Sequence, residues 1–197
     1  MRSRPKPPSI DDLAALHRVD VGPVPAEHID GNGHLSVRFI VELAAHGAHE
    51  LLVACGLTDE RRDRTRRGVF TAEHHIAYLA EMRGDSELTV RVRMLDHSAR
   101  AVGMAGFVVD EATSRLTAVL RTVVVSVDLE SRRSVDFAPD VADAIEEVLR
   151  RHDRLPWSAP YPSWGSIPGA RRRGMQRRLL RLVRRSADHE FSQSDDR

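Results

Sequence analysis

Apolar and polar positions along this chain change their period three times. From His17 to Pro25, Val19, Val21 and Val24 sit between polar residues, which predicts a strand. Ahead of it, Pro5, Pro7 and Pro8 predict a disordered start, and 10-IDDLAALHR-18 a short helical turn. After the polar, glycine-rich stretch 28-HIDGNGHL-35, the segment from Leu35 to Leu57 has no turn signal except Gly47. Leu35, Phe39, Leu43, Gly47, Leu51 and Cys55 recur every four residues, with further apolar positions on most other sides. That length and spacing predict a helix covered nearly all round. Ala44, Ala45, Gly47 and Ala48 are small and permit close backbone approach, and Gly56 fits a C-terminal stop.

Residues 58–68, TDERRDRTRRG, are expected to form a charged loop. The period then becomes two. Strands are predicted over Val69–Tyr78, Glu87–Leu95, residues 100–110 and residues 115–128. In the second, Thr89, Arg91 and Arg93 alternate with apolar residues, which predicts one exposed face. The last strand is apolar enough to lie inside a sheet. Pro139 opens an amphipathic helix with Val141, Ala144, Ile145, Val148 and Leu149 on one stripe. From Leu155 the chain is proline-rich, and 171-RRRGMQRRLLRLVRR-185 is strongly basic. The order strand, long helix, four strands, helix predicts an α+β domain over residues 17–155. Residues 1–16 are read as a flexible segment, and 156–197 as a Pro-rich then Arg-rich extension.

Composition narrows the field. The chain has 197 residues, 41% hydrophobic and 30% charged, enough for one domain with a sizeable core. No apolar run reaches the roughly 18–20 residues of a membrane span, and the opening MRSRPKPPS lacks the apolar stretch of a secretory signal. Cys55 is the only cysteine, so an internal disulfide or a cysteine-based zinc site is excluded. Residence in the cytoplasm is the expectation. Residues 1–169 carry 21 Lys/Arg against 25 Asp/Glu, and residues 170–197 carry 9 against 4. A mildly acidic body therefore precedes a basic tail. Lys6 is the only lysine, which removes P-loop and Schiff-base chemistry from the folded part.

The stretch 24-VPAEHIDGNGHLSVRFIVELAAHGAHELLVACGL-57 resembles the opening of hot-dog-fold acyl-CoA thioesterases, closest to the betainyl-CoA thioesterase-like branch. A second block, 70-FTAEHHIAYLAEMRGDSELTVRVRML-95, resembles the strands that follow in that branch. The resemblance covers about residues 18–155. It implies a curved antiparallel sheet wrapped around a long central helix, in a homodimer with its site at the subunit interface. Two such dimers would form a homotetramer. The activity implied is hydrolysis of an acyl-CoA, with CoA as part of the substrate and no metal or cofactor.

Thioester hydrolysis needs an activated water or nucleophile and donors for the carbonyl oxyanion. Asp30 is the natural base or nucleophile, a carboxylate just before a helix. His34 and Leu35 fall where backbone N–H groups lack intrahelical partners and the helix dipole favours negative charge. Gly33 allows close backbone approach. Asn32 could orient the water, and His34 could bond Asp30 or protonate the leaving thiolate. Thr71, Glu73 and His75 are expected on one strand face. The resemblance places Glu73 and His75 near the pocket, in the same subunit or the partner, with Tyr78 as a further substrate contact. Against this, 30-DGNG-33 also reads as a turn or a helix N-cap.

Other signals are weaker. His46 and His49 are spaced as metal-binding pairs are, but nothing completes a ligand set. Arg61–Arg67 reads as a solvated loop or a phosphate contact. The basic tail reads as a solvated extension, or as contact with a membrane or nucleic acid. The chain departs from the branch at Gly31, where a tyrosine is usual, at Ser36, where an asparagine is usual, and at 101-AVGMAGFV-108. These changes remove an aromatic wall that a trimethylammonium acyl group would favour, so the acyl group is left open. Two other readings stand beside the hydrolase. One is a non-catalytic acyl-CoA or lipid-binding protein. The other is an enoyl-CoA hydratase, weakened because the Asn-Pro-x-His pairing of such relatives is absent.

Overall fold

The computed structural model describes residues 7–84 and 86–157. The elements run α1 (Ile10–Leu13), β1 (His17–Pro23), a 3-10 turn (Ala26–His28), α2 (Val37–Ala54), α3 (Asp59–Thr65), β2 (Arg67–Tyr78), β3 (Glu87–His97), β4 (Ala101–Asp110), β5 (Arg115–Asp128) and α4 (Pro139–Asp153). The five strands form one antiparallel sheet in the order β1-β3-β4-β5-β2. One face packs on α2, the hot-dog arrangement that the resemblance implied. The sites of closest approach are set by small residues. A Cβ on Gly47 would lie 2.7 Å from Val90 Cγ1, and one on Gly106 would lie 3.3 Å from Ala44 Cβ.

The helix is less enclosed than its sequence suggests. Phe39, Ile40, Leu43, Ala44, Gly47, Ala48, Leu51 and Leu52 are buried, but Val37, Arg38, Glu42, Ala45, His46 and His49 are exposed. The apolar surface is thus a broad stripe facing the sheet, and the histidines lie on the open side.

The segment expected to be a charged loop forms α3 instead. The Thr58 side chain caps it by accepting from Arg61 N–H, Asp59 and Glu60 occupy the first turn, and Arg66 ends it in the left-handed region at φ 53°. The caps and the charge order suit a helix; the density of charge concealed them. The α4 stripe is as expected, with Val141, Ile145 and Val148 buried.

Strand β3 also differs, for its predicted exposed face is covered. Thr89, Arg91 and Arg93 are all buried. The cover comes from both ends of the domain. Leu13 and Leu16 pack with Phe107, Val109 and Val119, and Leu155 and Trp157 join them. The segment read as flexible through residue 16 therefore ends in a packed turn, held by a capping box between Ser9 and Asp12. Trp157 Nε1 donates to the Asp12 carbonyl at 3.0 Å, joining the two covers. Arg93 is satisfied there, donating to the carbonyls of Trp157 at 2.8 Å and His152 at 3.0 Å and lying 4.2 Å from the Trp157 ring centroid. The arginine-rich run 171–185 and all but the first two residues of the extension 156–197 lie outside the described residues.

Candidate active site

The loop between β1 and α2 folds on itself. Ile29 and Leu35 form an isolated bridge, Asp30 N–H donates to the His34 carbonyl at 2.8 Å, and Gly33 N–H donates to the Asp30 carbonyl at 3.0 Å. Gly33 sits at φ +78°, which favours glycine. The carboxylate of Asp30 completes the turn: its Oδ1 accepts from Asn32 N–H at 2.8 Å and from His34 N–H at 3.1 Å. These amides, His34 first, hold the Asp30 carboxyl below the ordinary carboxylate range. The group is exposed, fixed in direction and anionic.

The loop is held against the residues that follow β2. Leu35 N–H donates to the Met82 carbonyl at 2.9 Å, and His34 bridges to Arg83. His34 Nε2 is 3.5 Å from Glu81 Oε2. His28 stacks on Phe39 with ring centroids 3.8 Å apart, tying the loop to the first turn of α2. Glu81 and Arg83, charged residues of a connecting loop, carry no motif that would single them out.

The amides expected to receive an oxyanion are engaged. His34 N–H is bonded to Asp30 and Leu35 N–H to Met82. The helix begins two residues beyond Leu35. Ser36 is its N-cap and makes no side-chain cap bond, so the first-turn amides of Val37 and Arg38 are those that a helix start leaves without intrahelical partners. Val37 is 57% exposed.

Strand β2 carries the remaining predicted residues, and a bulge between Thr71 and Glu73 divides them. Before it Thr71 pairs with Val124, which faces α2. Beyond it the faces separate. His74, Ile76 and Tyr78 pair with Thr122, Leu120 and Ala118 and share their face toward α2. His74 Nδ1 lies 3.1 Å from Thr122 Oγ1, and burial, with His75 adding to it, lowers its pKa. Glu73 and His75 point to the opposite face. There His75 pairs with Arg121, and Arg121 with Ala105. Within one subunit they therefore lie across the sheet from α2, not beside Asp30. They belong to a cluster around the buried Arg121, whose Nη1 is 3.8 Å from Glu73 Oε2 and whose Nη2 is 3.6 Å from Asp96 Oδ1. His75 Nε2 is 3.5 Å from Glu73 Oε1. A Cβ on Gly103 would lie 2.1 Å from Asp96 Oδ1, so this carboxylate occupies the space the glycine leaves. Tyr78 ends β2 on the helix side and is 49% exposed; three residues later the chain reaches Glu81 and the Asp30 loop.

Among the described residues, no three His, Cys, Asp or Glu side chains converge as a metal set would. Cys55 is buried, and burial raises its thiol pKa. Arg61 and Arg62 are held by carboxylates, the first by Asp140 at 2.6 and 2.7 Å, the second by Asp59 at 2.7 Å. Among the described residues no single helix is long and apolar enough to cross a membrane.

Comparison with known proteins agrees with this architecture. The family described as the thioesterase-like superfamily matches residues 24–145. A betainyl-CoA thioesterase of Pseudomonas aeruginosa is 26% identical over 134 residues, 68% of this chain and 84% of that protein. An L-carnitine dehydrogenase/betainyl-CoA thioesterase of Agrobacterium fabrum is 24% identical over 120 residues, which span 61% of this chain and 24% of that larger protein. Among solved structures, a hypothetical protein of Staphylococcus aureus in complex with CoA superposes with a TM-score of 0.69 at 20% identity, covering 78% of this chain and 94% of that one. A 1,4-dihydroxy-2-naphthoyl-CoA thioesterase from Synechocystis gives 0.59 at 15% identity, with 66% and 96% covered. These structural likenesses concern the fold.

Proposed function

This chain belongs to the thioesterase-like superfamily, and on that premise we propose that it hydrolyses an acyl-CoA thioester to the free acid and CoA. The observation that carries the proposal is the Asp30 carboxylate, fixed by two backbone amides just ahead of a long helix. In the reaction a water attacks the thioester carbonyl while Asp30 takes its proton; alternatively Asp30 attacks and water opens the resulting anhydride. The C–S bond breaks in either route, and CoA leaves as a thiolate that then gains the proton. A thiolate is a good leaving group, so a dedicated acid matters less than oxyanion stabilisation. With His34 and Leu35 amides engaged, that role passes to the first-turn amides of α2, one such donor being typically worth about 2.7–4 kcal/mol. Asn32 and His34 hold the carboxylate in place.

The site is completed by a second copy in this reading. Asp30 is exposed in one chain, and β2 is a sheet edge with exposed residues on both faces. A homodimer places a partner's β2 residues, Tyr78 and His74 on the helix face, where a substrate could meet them; pairing of dimers into a tetramer is an extension of the same reading. CoA is substrate rather than resident cofactor, and the cytoplasm, where CoA esters are made and used, is the compartment that suits this reading.

One observation favours the binding-only alternative: Asp30 Oδ1 and the two amides nearest to it are already engaged with one another. The two readings part cleanly. Purified protein is incubated with a panel of acyl-CoAs and free thiol is measured. Thiol release that Asp30→Asn abolishes while the fold is kept supports hydrolysis. Saturable binding of CoA esters with no release establishes the alternative. Water addition to crotonyl-CoA would establish the hydratase.

A further inference from the structure

We infer that residues 175–185 are a docking segment for an anionic phospholipid bilayer. They lie outside the described residues, and their sequence carries the observation. At the helical period, 175-MQRRLLRLVRR-185 separates into two faces. Met175, Leu179, Leu180, Leu182 and Val183 fall within an arc of about 160°, with Gln176 the one polar residue among them. Arg177, Arg178, Arg181, Arg184 and Arg185 fill the opposite arc of about 120°. No Asp or Glu occurs between Asp153 and Asp188, so the cationic face has no counter-ion in its own stretch of sequence.

The described chain delivers this segment from a fixed point. Trp157 Nε1 donates to the Asp12 carbonyl at 3.0 Å, and its ring meets Phe107 edge-on with centroids 5.7 Å apart. Residues 158–174, with Pro160, Pro162 and Pro168 among them, separate Trp157 from Met175 and span at most about 60 Å. The segment can thus meet a surface that the domain does not touch. The domain supplies no attraction of its own, for residues 1–169 carry 21 Lys/Arg against 25 Asp/Glu. A bilayer surface uses both faces of the segment: the apolar arc enters the boundary between headgroups and acyl chains while the arginines meet lipid phosphates. Nucleic acid would engage the arginines through its phosphates and leave the apolar arc in water. The apolar arc therefore selects lipid over nucleic acid. None of this depends on the chain hydrolysing a thioester.

Sedimentation of the full chain with mixed phosphatidylcholine–phosphatidylglycerol vesicles, against pure phosphatidylcholine ones, tests the segment at about 0.15 M salt. Binding should be at least about tenfold tighter to the mixed vesicles and should add helical circular dichroism. Leu179→Ser/Leu182→Ser leaves the charge unchanged and should weaken it at least about tenfold. Arg177→Gln and Arg181→Gln should each weaken it about fivefold. These changes fall beyond the hot-dog domain, and an unchanged thermal midpoint checks that the domain is intact. Should the leucine pair lower the midpoint, Met175→Ser/Val183→Ser takes its place. Equal binding to both kinds of vesicle, binding to neither, or leucine variants that bind as the native chain does overturn the inference. A labelled DNA duplex, followed by fluorescence anisotropy, overturns it in favour of nucleic acid if it binds more tightly than the mixed vesicles and is indifferent to the leucine pair.

Discussion

Gly47 is where α2 presses hardest on the sheet, and Gly47→Ala sets two calculable effects against each other. Alanine in a helix interior is favoured over glycine by about 0.8–1 kcal/mol. Against this, the new Cβ would lie 2.7 Å from Val90 Cγ1 and 3.0 Å from Val92 Cγ2. Both valines are fully buried, and β-branched side chains have few rotamers to retreat into. Overpacking of this kind typically costs about 1–3 kcal/mol. The net expectation is a loss of about 1 kcal/mol, or roughly 2–4 °C in Tm for a domain of this size. The sign reversal is the sharper test. In a Val90→Ala background the closest methyl is gone, so Gly47→Ala should become neutral or stabilising, with a coupling energy of about 1 kcal/mol or more. Urea melts of the four proteins of this cycle supply the measurement. A Gly47→Ala variant that is stabilising with Val90 present would refute the claim that this helix is positioned by contact at residue 47.

Three further predictions follow from the site and the buried polar groups. Asp30→Asn should lower thiol release at least a hundredfold with the thermal midpoint kept, and because the native carboxyl ionises below its ordinary range, the acid limb of kcat/KM should fall at lower pH than for an ordinary aspartate. His152 is buried, accepts the Met94 N–H at 2.8 Å, and has its pKa lowered to about 4, chiefly by burial and then by Arg93 and Arg151. Between about pH 4 and 6.5 the unfolded chain therefore binds more protons, so stability is full above pH 6.5 and declines toward pH 4 by on the order of 3 kcal/mol; denaturant melts across that window should show the slope, and His152→Asn should flatten it. Gly103→Ala drives a Cβ into the Asp96 carboxylate beside buried Arg121, and breaking such a pair should cost on the order of 3 kcal/mol, read as a lower urea midpoint, with Gly103→Ala adding little further loss once Asp96→Ala has removed the carboxylate it meets.

What sequence patterning could and could not reveal divides along physical lines. The order of strands and the long helix were legible because a period of four changes to a period of two, and Gly47 and Ala44 marked the close approach that Val90 and Gly106 complete. Helix α3 was hidden because its capping pattern lies in a run of charge that also suits a solvated loop. The burial of Arg91 and Arg93 had no local signal at all. It depends on residues 13, 16, 155 and 157 arriving from the two ends of the domain. The bulge at Thr71/Glu73 had none either, yet it places Glu73 and His75 on the face opposite His74 and Tyr78. Strict alternation read from Thr71 onward thus assigns Thr71 and Glu73 to one side, an error of one residue that reassigns a whole strand.

The same geometry bears on how Asp30 would act. A turn and a reactive carboxylate were competing explanations of 30-DGNG-33, but the bonds that build the turn also set the chemistry. Two amides aimed at Oδ1 stabilise the anion over the acid. They thereby make Asp30 a weaker base while keeping it ionised and pointing in one direction. A weak base is a poor proton abstractor from water unless the transition state places positive charge beside it. A fixed anion loses less when it serves as nucleophile or as the group that orients water. The turn therefore argues for Asp30 acting by position and charge, with the larger share of rate acceleration falling on the amides at the start of α2. If that apportioning holds, Asp30→Glu, which keeps the charge but lengthens the arm and breaks the Oδ1 contacts, should lose nearly as much thiol release as Asp30→Asn.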